Sequence, residues 1–357
     1  SVLVIGGGGF VGYHLTSYFV TNKSFAKVHV LSRNAKSTKN NVNGAIYHNG
    51  DITEEDQIRI VIEETKPAVI VHAATPSPVT GTPTDYKQVN IRGTGNLLRC
   101  AKDSEHVKAF IFTSSSTLAK GPEHHDLSEE CMLANEDPNA TPYARSKATA
   151  ELRVLGANNP KLREFPSWKG HLATATIRLP IVYGTRDNTT IPGCLNALSK
   201  GQTTVTLGPG DNLWSFCSGS NAARSHLLLA SALLDPTPKS EHLEVHGEAF
   251  NINDGSPYPF WEFAKLSWRF AGYNPYPAPT MRHIPVSLAL ALSFFLEWVY
   301  WIFTLGLQRP YNLGKQQVEY ACFTHTYSIE KARNRLDYKP RVDFERGVQK
   351  AVEWCIE

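Results

Sequence analysis

The 357-residue chain predicts a doubly wound α/β fold on a parallel sheet, and three observations carry that expectation. A short apolar run over 1–5 passes directly into Gly6-Gly7-Gly8-Gly9-Phe10-Val11-Gly12 and then into an amphipathic stretch over 13–20. Apolar runs of strand length then alternate with segments of helical length through the first half, the rhythm of parallel crossover units. Two of those runs end in small or hydroxyl side chains, His72-Ala73-Ala74 and Thr113-Ser114-Ser115-Ser116. Open α/β sheets take their ligands at that carboxyl edge.

Gly6, Gly9 and Gly12 stand at G-x-x-G-x-x-G spacing. The first permits a tight turn, the second lets backbone approach a pyrophosphate, and the third lets the helix pack on the strand. Phe10 and Val11 lie between them, at the opening of a helix whose positive end would face the phosphates. The next strand spans 27–31 and leads into Ser32-Arg33-Asn34. NAD-binding domains carry a carboxylate there for the ribose hydroxyls. Serine and arginine suit a 2′-phosphate instead, through charge-assisted hydrogen bonds, so NADP(H) is expected ahead of NAD(H). A strand over 45–48 precedes Gly50-Asp51-Ile52 and a helix over 54–64. The next strand is 69–72, a helix over 86–101 carries Asn90, Gly93 and Thr94, and 108–113 is a further strand. A Rossmann-type sheet in this order gathers the glycine loop, Ser32, Asp51, Ala73 and Ser114–Ser116 around one crevice. Cofactor contacts are expected from that loop, Ser32, Arg33, Asp51, Ile52, Ala73, Ala74, Thr75, Asn90 and Thr113.

Tyr143 and Lys147 are four apart in Pro142-Tyr143-Ala144-Arg145-Ser146-Lys147 and share one face of a helix. A phenol titrates near about 10 and is a poor base at neutral pH. A neighbouring ammonium and a cationic nicotinamide ring favour its phenolate. The lysine can also hold the nicotinamide ribose. A serine at the end of the adjacent strand can hold the substrate oxygen while Tyr143 moves the proton. In such a site the cofactor does the hydride chemistry and the protein supplies position and electrostatics.

These elements, in order, resemble the extended short-chain dehydrogenase/reductase superfamily: Gly6–Gly12, Gly50-Asp51, His72-Ala73-Ala74, Asn90-Ile91-Arg92-Gly93-Thr94, Thr113–Ser116, Tyr143 with Lys147, and Arg178-Leu179-Pro180-Ile181-Val182-Tyr183-Gly184. The resemblance implies that Ser115 is the catalytic serine, Tyr143 the general acid/base and Lys147 its partner. It also implies that Leu179, Pro180 and Val182 belong to the segment passing the nicotinamide carboxamide. Gly247-Glu248-Ala249-Phe250-Asn251-Ile252-Asn253-Asp254-Gly255 and Thr324-His325-Thr326-Tyr327-Ser328-Ile329-Glu330-Lys331 are similar to the 3β-hydroxysteroid dehydrogenase family, especially its fungal-type sterol-4α-carboxylate 3-dehydrogenase branch. That likeness implies interconversion of a 3β-hydroxyl and a ketone on a sterol or polycyclic terpenoid, with C4 decarboxylation where a carboxylate adjoins. It also implies a homodimer through the helices at 86–101 and 143–155. Two departures stand out. Ser32 replaces the family's usual acidic residue, and the stretch 212–223 carries Ser215, Ser218 and Ala222 where the family has aspartate, tyrosine and valine. These suit a different polycyclic substrate. Two rival readings share much of the pattern: a nucleotide-sugar epimerase or dehydratase, which needs polar sugar contacts, and an NADP-binding sensor, which commonly loses the Tyr/Lys pair.

Residues 1–185 are expected to form the cofactor domain, with segments near 213–232 and 247–256 returning to it. Residues 186–357, more densely broken by proline and glycine, would form mainly a smaller C-terminal substrate lobe. Lysine and arginine number 36 against 33 aspartates and glutamates, a net charge of +3. No run of five basic residues interrupts the chain, so no nucleic-acid partner is expected. Cys100, Cys131, Cys194, Cys217, Cys322 and Cys355 form no C-x-x-C pair, which points to reduced thiols, no metal site and no disulfide framework. No charged and apolar leader precedes the first strand, so an intracellular protein is expected. Residues 284–307 carry one charge, Glu297, and are long enough to span a bilayer. A carboxylate near the middle would cost about 2.5–3.5 kcal/mol on insertion scales. Three placements follow: a cap buried over the substrate pocket, an interfacial docking element, or a spanning helix. The first two fit a greasy substrate and a protein in the cytoplasm or on the cytosolic face of the endoplasmic reticulum membrane.

Overall fold

The computed structural model describes residues 1–35, 40–161, 167–237, 240–304, 314–341 and 343–357. Its central sheet has seven parallel strands: β1 (Val2–Ile5), β2 (Val28–Ser32), β3 (Ile46–Asn49), β4 (Val69–His72), β5 (Ala109–Ser115), β6 (Ala173–Leu179) and β7 (Glu248–Asn251). Their spatial order is β7-β6-β5-β4-β1-β2-β3. Strands β1, β4, β5 and β6 are buried along their whole length, because helices cover both faces of the sheet. Leu15, Phe19, Leu229 and Leu233 build the core on one face. Ile58, Ile62, Leu97 and Val154 build it on the other. Val2 pairs with Val28 on one side and Val69 on the other, so strand order reverses between β1 and β4. The crevice for a ligand opens at that switch point.

Two local findings differ from the sequence expectation. First, β5 runs two residues past 113, leaving Ser114 and Ser115 in the ladder opposite Arg178 and Leu179. Second, the helix expected over 86–101 is built in three parts: Pro83–Tyr86, a π-helical stretch Lys87–Gly93, and Thr94–Asp103. The wider turns carry buried Asn90 to Ser146, whose hydroxyl accepts its amide at 2.9 Å. They also seat Gly93 against Ile52, where a Cβ would come within 2.7 Å of that side chain. Such π segments are frequent beside functional sites.

The later chain folds back over the carboxyl edge. Phe216–Ser218 pairs with Ile181–Tyr183, and helix Gly219–Leu234 packs on helix Phe10–Thr21. A four-stranded sheet joins Tyr258–Pro259, Leu213–Trp214, His325–Tyr327 and His124–Leu127. An aromatic cluster including Tyr183, Trp214, Phe216 and Phe263 anchors this region.

Helix Val286–Thr304 covers most of the apolar stretch; 305–307 lie outside the described residues. Only Ala289 and Ser293 of this helix are buried, while Phe303 is 83% exposed and Phe294 71%. It is therefore not a cap buried over a pocket. Ala289 packs against Val318 and Cys322, in helix Lys315–Cys322. The Glu297 carboxylate accepts the Lys315 backbone N–H at 2.8 Å.

Candidate active site

The glycine loop is shaped by backbone contact. Gly6 has φ of +81°, and a Cβ on it would sit 2.7 Å from the Ala74 Cα. A Cβ on Gly12 would lie 2.1 Å from the Gly6 carbonyl oxygen. Helix Phe10–Thr21 begins here with no acidic residue in its first turn. A bare backbone surface at a helix N-terminus fits the pyrophosphate of a nicotinamide dinucleotide.

From this loop a cleft of about 520 Å³ runs along the ends of the strands. Its wall brings together Gly9, Phe10, Val11, Gly12, Ala73, Thr75, Thr113, Ser115, Tyr143, Lys147, Leu179, Pro180 and Val182, all singled out from the sequence. The other residues singled out stand outside that wall. Gly6 and Ala74 press on each other beneath the loop. Ser32 ends β2 with a buried hydroxyl that has no partner among the described residues, and Arg33 beyond it is exposed. Asp51 accepts the Thr53 backbone N–H at 2.8 Å and the Thr53 hydroxyl at 2.9 Å. Ile52 is buried in the core, and Asn90 turns toward Ser146.

Helix Pro142–Gly156 carries the tyrosine and lysine. Thr141 caps it by accepting the Ala144 N–H, and Pro142 pre-sets its first turn. Tyr143 is 7% exposed. Burial pushes its phenol up to about 12, while contacts with the Ser115 and Thr75 hydroxyls pull the other way. The Lys147 ammonium donates to the Thr113 carbonyl at 2.6 Å and lies 4.0 Å over the Phe112 ring. Burial brings it down to about 7, against the pull of the Glu151 carboxylate. Glu151 is itself held by Arg178 at 2.6 Å. The Ser115 hydroxyl lies 2.9 Å from that of Thr117. The Ser114 and Ser116 hydroxyls are buried without partners among the described residues. Side chains alternate along β5, so Ser114 and Ser115 cannot serve the same face. A phenol with a hydroxyl beside it and a lysine one helical turn on can exchange a proton with a substrate alcohol.

The far wall was not legible from the sequence as a site. It comprises Trp214, Phe260, Tyr320, His325 and Tyr327. Trp214 stacks on Phe260 at 4.1 Å and Tyr320 on His325 at 4.3 Å. The Trp214 indole donates to the Tyr320 carbonyl at 2.9 Å. Ser215, one of the departures noted above, accepts the Tyr327 backbone N–H at 3.1 Å. The one available signal was the aromatic content of the short segments 213–216 and 320–327.

Residues 3–281 match the model of the 3-beta hydroxysteroid dehydrogenase/isomerase family. The chain belongs to that family. It is accordingly a nicotinamide-dependent oxidoreductase. The decarboxylating sterol-4-alpha-carboxylate 3-dehydrogenase of Saccharomyces cerevisiae is 30% identical across 100% of this chain and 98% of its own. The Schizosaccharomyces pombe protein of that name is 31% identical across 99% and 97%, and the Mus musculus one 27% across 98% and 89%. Among solved structures, UDP-glucose 4-epimerase of Thermotoga maritima superposes with a TM-score of 0.69 at 21% identity, covering 99% of this chain and 98% of its own. The dTDP-glucose 4,6-dehydratase of Bacillus anthracis, in complex with NAD, gives 0.67 at 20%, covering 99% and 95%. These likenesses concern the fold.

Proposed function

We propose that the protein oxidises the 3β-hydroxyl of a 4α-carboxylated sterol, or a related polycyclic terpenoid, to the ketone, and that the carboxyl group leaves as CO2. The observation that carries this reading is the composition of the cleft. Tyr143, Ser115 and Lys147 meet at one side and an aromatic wall faces them, and among the described lining residues Lys147 holds the only formal charge. Such a wall suits fused apolar rings and offers little to a sugar diphosphate.

When bound, the nicotinamide supplies the acceptor for the hydride from C3. Gly9 and Gly12 would hold its pyrophosphate, and Lys147 its ribose. Ser115 donates a hydrogen bond to the substrate oxygen, and Tyr143, as phenolate, takes the hydroxyl proton. The Lys147 ammonium favours the phenolate electrostatically. With the ketone formed, its oxygen stays hydrogen-bonded to Ser115 and Tyr143. The electron pair of the C4–carboxyl bond flows toward that oxygen as CO2 departs, and Tyr143 returns the proton to the resulting enolate.

Ser32 and Arg33 favour NADP+ over NAD+, since no carboxylate there opposes a 2′-phosphate. The exposed aromatic and leucine side chains of helix Val286–Thr304 support docking of that helix at a membrane surface. An apolar substrate would then reach the cleft from lipid. The test is turnover of purified protein with a 4α-carboxy-3β-hydroxysterol panel and, in parallel, with UDP- and dTDP-hexoses. Sterol-dependent cofactor reduction without sugar turnover is expected; sugar turnover alone would overturn the proposal.

A further inference from the structure

We propose that Thr117 is the specificity-determining residue that recognises the substrate's carboxylate, its hydroxyl donating to a carboxylate oxygen while Ser115 donates to the neighbouring 3β-oxygen. The inference deepens the function proposed above and rests on it.

The observation is a pair of hydroxyls held at one spacing. Ser115 ends β5 and caps the short turn Ser116–Leu118, so its Oγ accepts the Thr117 backbone N–H at 3.3 Å. The same turn sets the Thr117 hydroxyl 2.9 Å from the Ser115 hydroxyl. In a 4α-carboxy-3β-hydroxysterol the alcohol and the carboxylate stand gauche on adjacent ring carbons. The alcohol oxygen and the nearer carboxylate oxygen can then lie within hydrogen-bond distance of each other, about 2.5–3.0 Å. Two donors 2.9 Å apart match two acceptors so spaced. With substrate bound, the Ser115 proton points to the alcohol oxygen and the Thr117 proton to the carboxylate. Ser115 still accepts the Thr117 N–H, which keeps the pair in register.

The surroundings favour Thr117 over the hydroxyls beside it. Those of Ser114 and Ser116 are buried, whereas Thr117 is half-buried. Thr117 lines the main cleft and also a second cavity of about 470 Å³. Polar side chains border that cavity, among them His124, Asp137, Asn139, Lys315 and Glu319, and a cavity so lined can hold water. A carboxylate at its mouth meets a polar environment, while the apolar rings keep to the aromatic wall.

The donor is neutral, and that suits the reaction. In the second cavity the Lys315 ammonium already lies 3.6 Å from the Glu319 carboxylate. A cation paired with the substrate carboxylate would stabilise the very charge that decarboxylation removes from it, raising the barrier; a hydroxyl holds the group with less of that penalty. As the C4–carboxyl bond breaks, its electron pair passes to the ketone oxygen at Ser115, and neutral CO2 is left facing the second cavity.

The experiment compares wild type, Thr117→Val and Thr117→Ser. It measures kcat and KM for a 4α-carboxy-3β-hydroxysterol, and the inhibition constant of the 4α-methyl-3β-hydroxysterol as a competitor, which keeps the alcohol and lacks the carboxylate. Thr117→Val is expected to raise KM for the carboxylated sterol about tenfold or more, the scale of one hydrogen bond to a charged group, with a much smaller change for the methyl sterol. Thr117→Ser is expected to restore most of the preference. Equal weakening of both sterols, or a lower kcat at unchanged KM, overturns the assignment and means that Thr117 only positions Ser115; unchanged constants overturn it too. A wild type that turns over no carboxylated sterol overturns the functional reading itself, and this inference with it.

Discussion

Replacing Lys147 with methionine is expected to abolish most activity yet stabilise the cofactor-free protein near neutral pH. Burial brings the Lys147 ammonium from its ordinary 10.5 down to about 7, which corresponds to about 5 kcal/mol carried by the protonated form. The unfolded chain holds this proton up to about pH 10.5 and the native protein only to about pH 7, so stability climbs with pH between those values. The destabilisation is full below about pH 7 and gone by about pH 10.5. Methionine fills similar volume without a charge. Losing the bond to the Thr113 carbonyl takes back about 1–2 kcal/mol. The variant should thus be about 2–3 kcal/mol more stable near pH 7 and about equal to wild type near pH 9.5. Urea unfolding followed by fluorescence of the seven tryptophans measures this directly. A gain of equal size at both pH values, or a loss near pH 7, would refute the buried cation as the source of strain. Turnover should fall by about 10²–10⁴, the usual scale for disabling acid–base chemistry.

Three other perturbations test separate parts of the account. Gly12→Ala puts a Cβ 2.1 Å from the Gly6 carbonyl oxygen, with the Gly7 Cα at 2.7 Å. Backbone on both sides cannot yield cheaply, so nicotinamide affinity measured by fluorescence titration should weaken about tenfold or more, at least 1.4 kcal/mol; unchanged affinity would contradict the placement of the pyrophosphate. Ser32→Asp should weaken NADPH binding about tenfold or more through like-charge repulsion while sparing NADH, and equal losses for both cofactors would count against a 2′-phosphate site at β2. Changing Phe294, Trp301 and Phe303 together to glutamate should reduce co-sedimentation with phospholipid vesicles at least about 100-fold, since each aromatic contributes about 1.5–3 kcal/mol when buried. Turnover of detergent-dispersed substrate should survive that change.

What could be read in the sequence was what short range encodes. The glycine spacing, the fully apolar strands and the four-residue step from Tyr143 to Lys147 each state their geometry locally, and the sheet follows from their alternation. Ser114, Ser115 and Ser116 are equivalent as letters, and all three line the cleft, the first two on successive positions of β5 and the third in the turn that follows. The π-helical stretch Lys87–Gly93 was not visible. It arises from packing of Gly93 on Ile52 and Asn90 on Ser146, partners distant in sequence. The far wall is assembled from still longer range: the His124 ring lies 3.0 Å from the Tyr327 hydroxyl, 203 residues on. Asp254 gathers the Ser218 N–H, the Asn221 amide and the Tyr183 hydroxyl, organising the turn into helix Gly219–Leu234 from another segment. Composition alone could not tell a buried apolar helix from an exposed one, and Val286–Thr304 is exposed.

The central claim is that Tyr143 drives alcohol oxidation coupled to loss of the neighbouring carboxyl group. Reduced nicotinamide and CO2 should be counted together when wild type and Tyr143→Phe meet a 4α-carboxy-3β-hydroxysterol. The account predicts equal yields of the two from wild type. It predicts rates about 10²–10⁴ lower in the variant, with cofactor affinity intact. CO2 released without cofactor reduction, or a variant as fast as wild type, would contradict it.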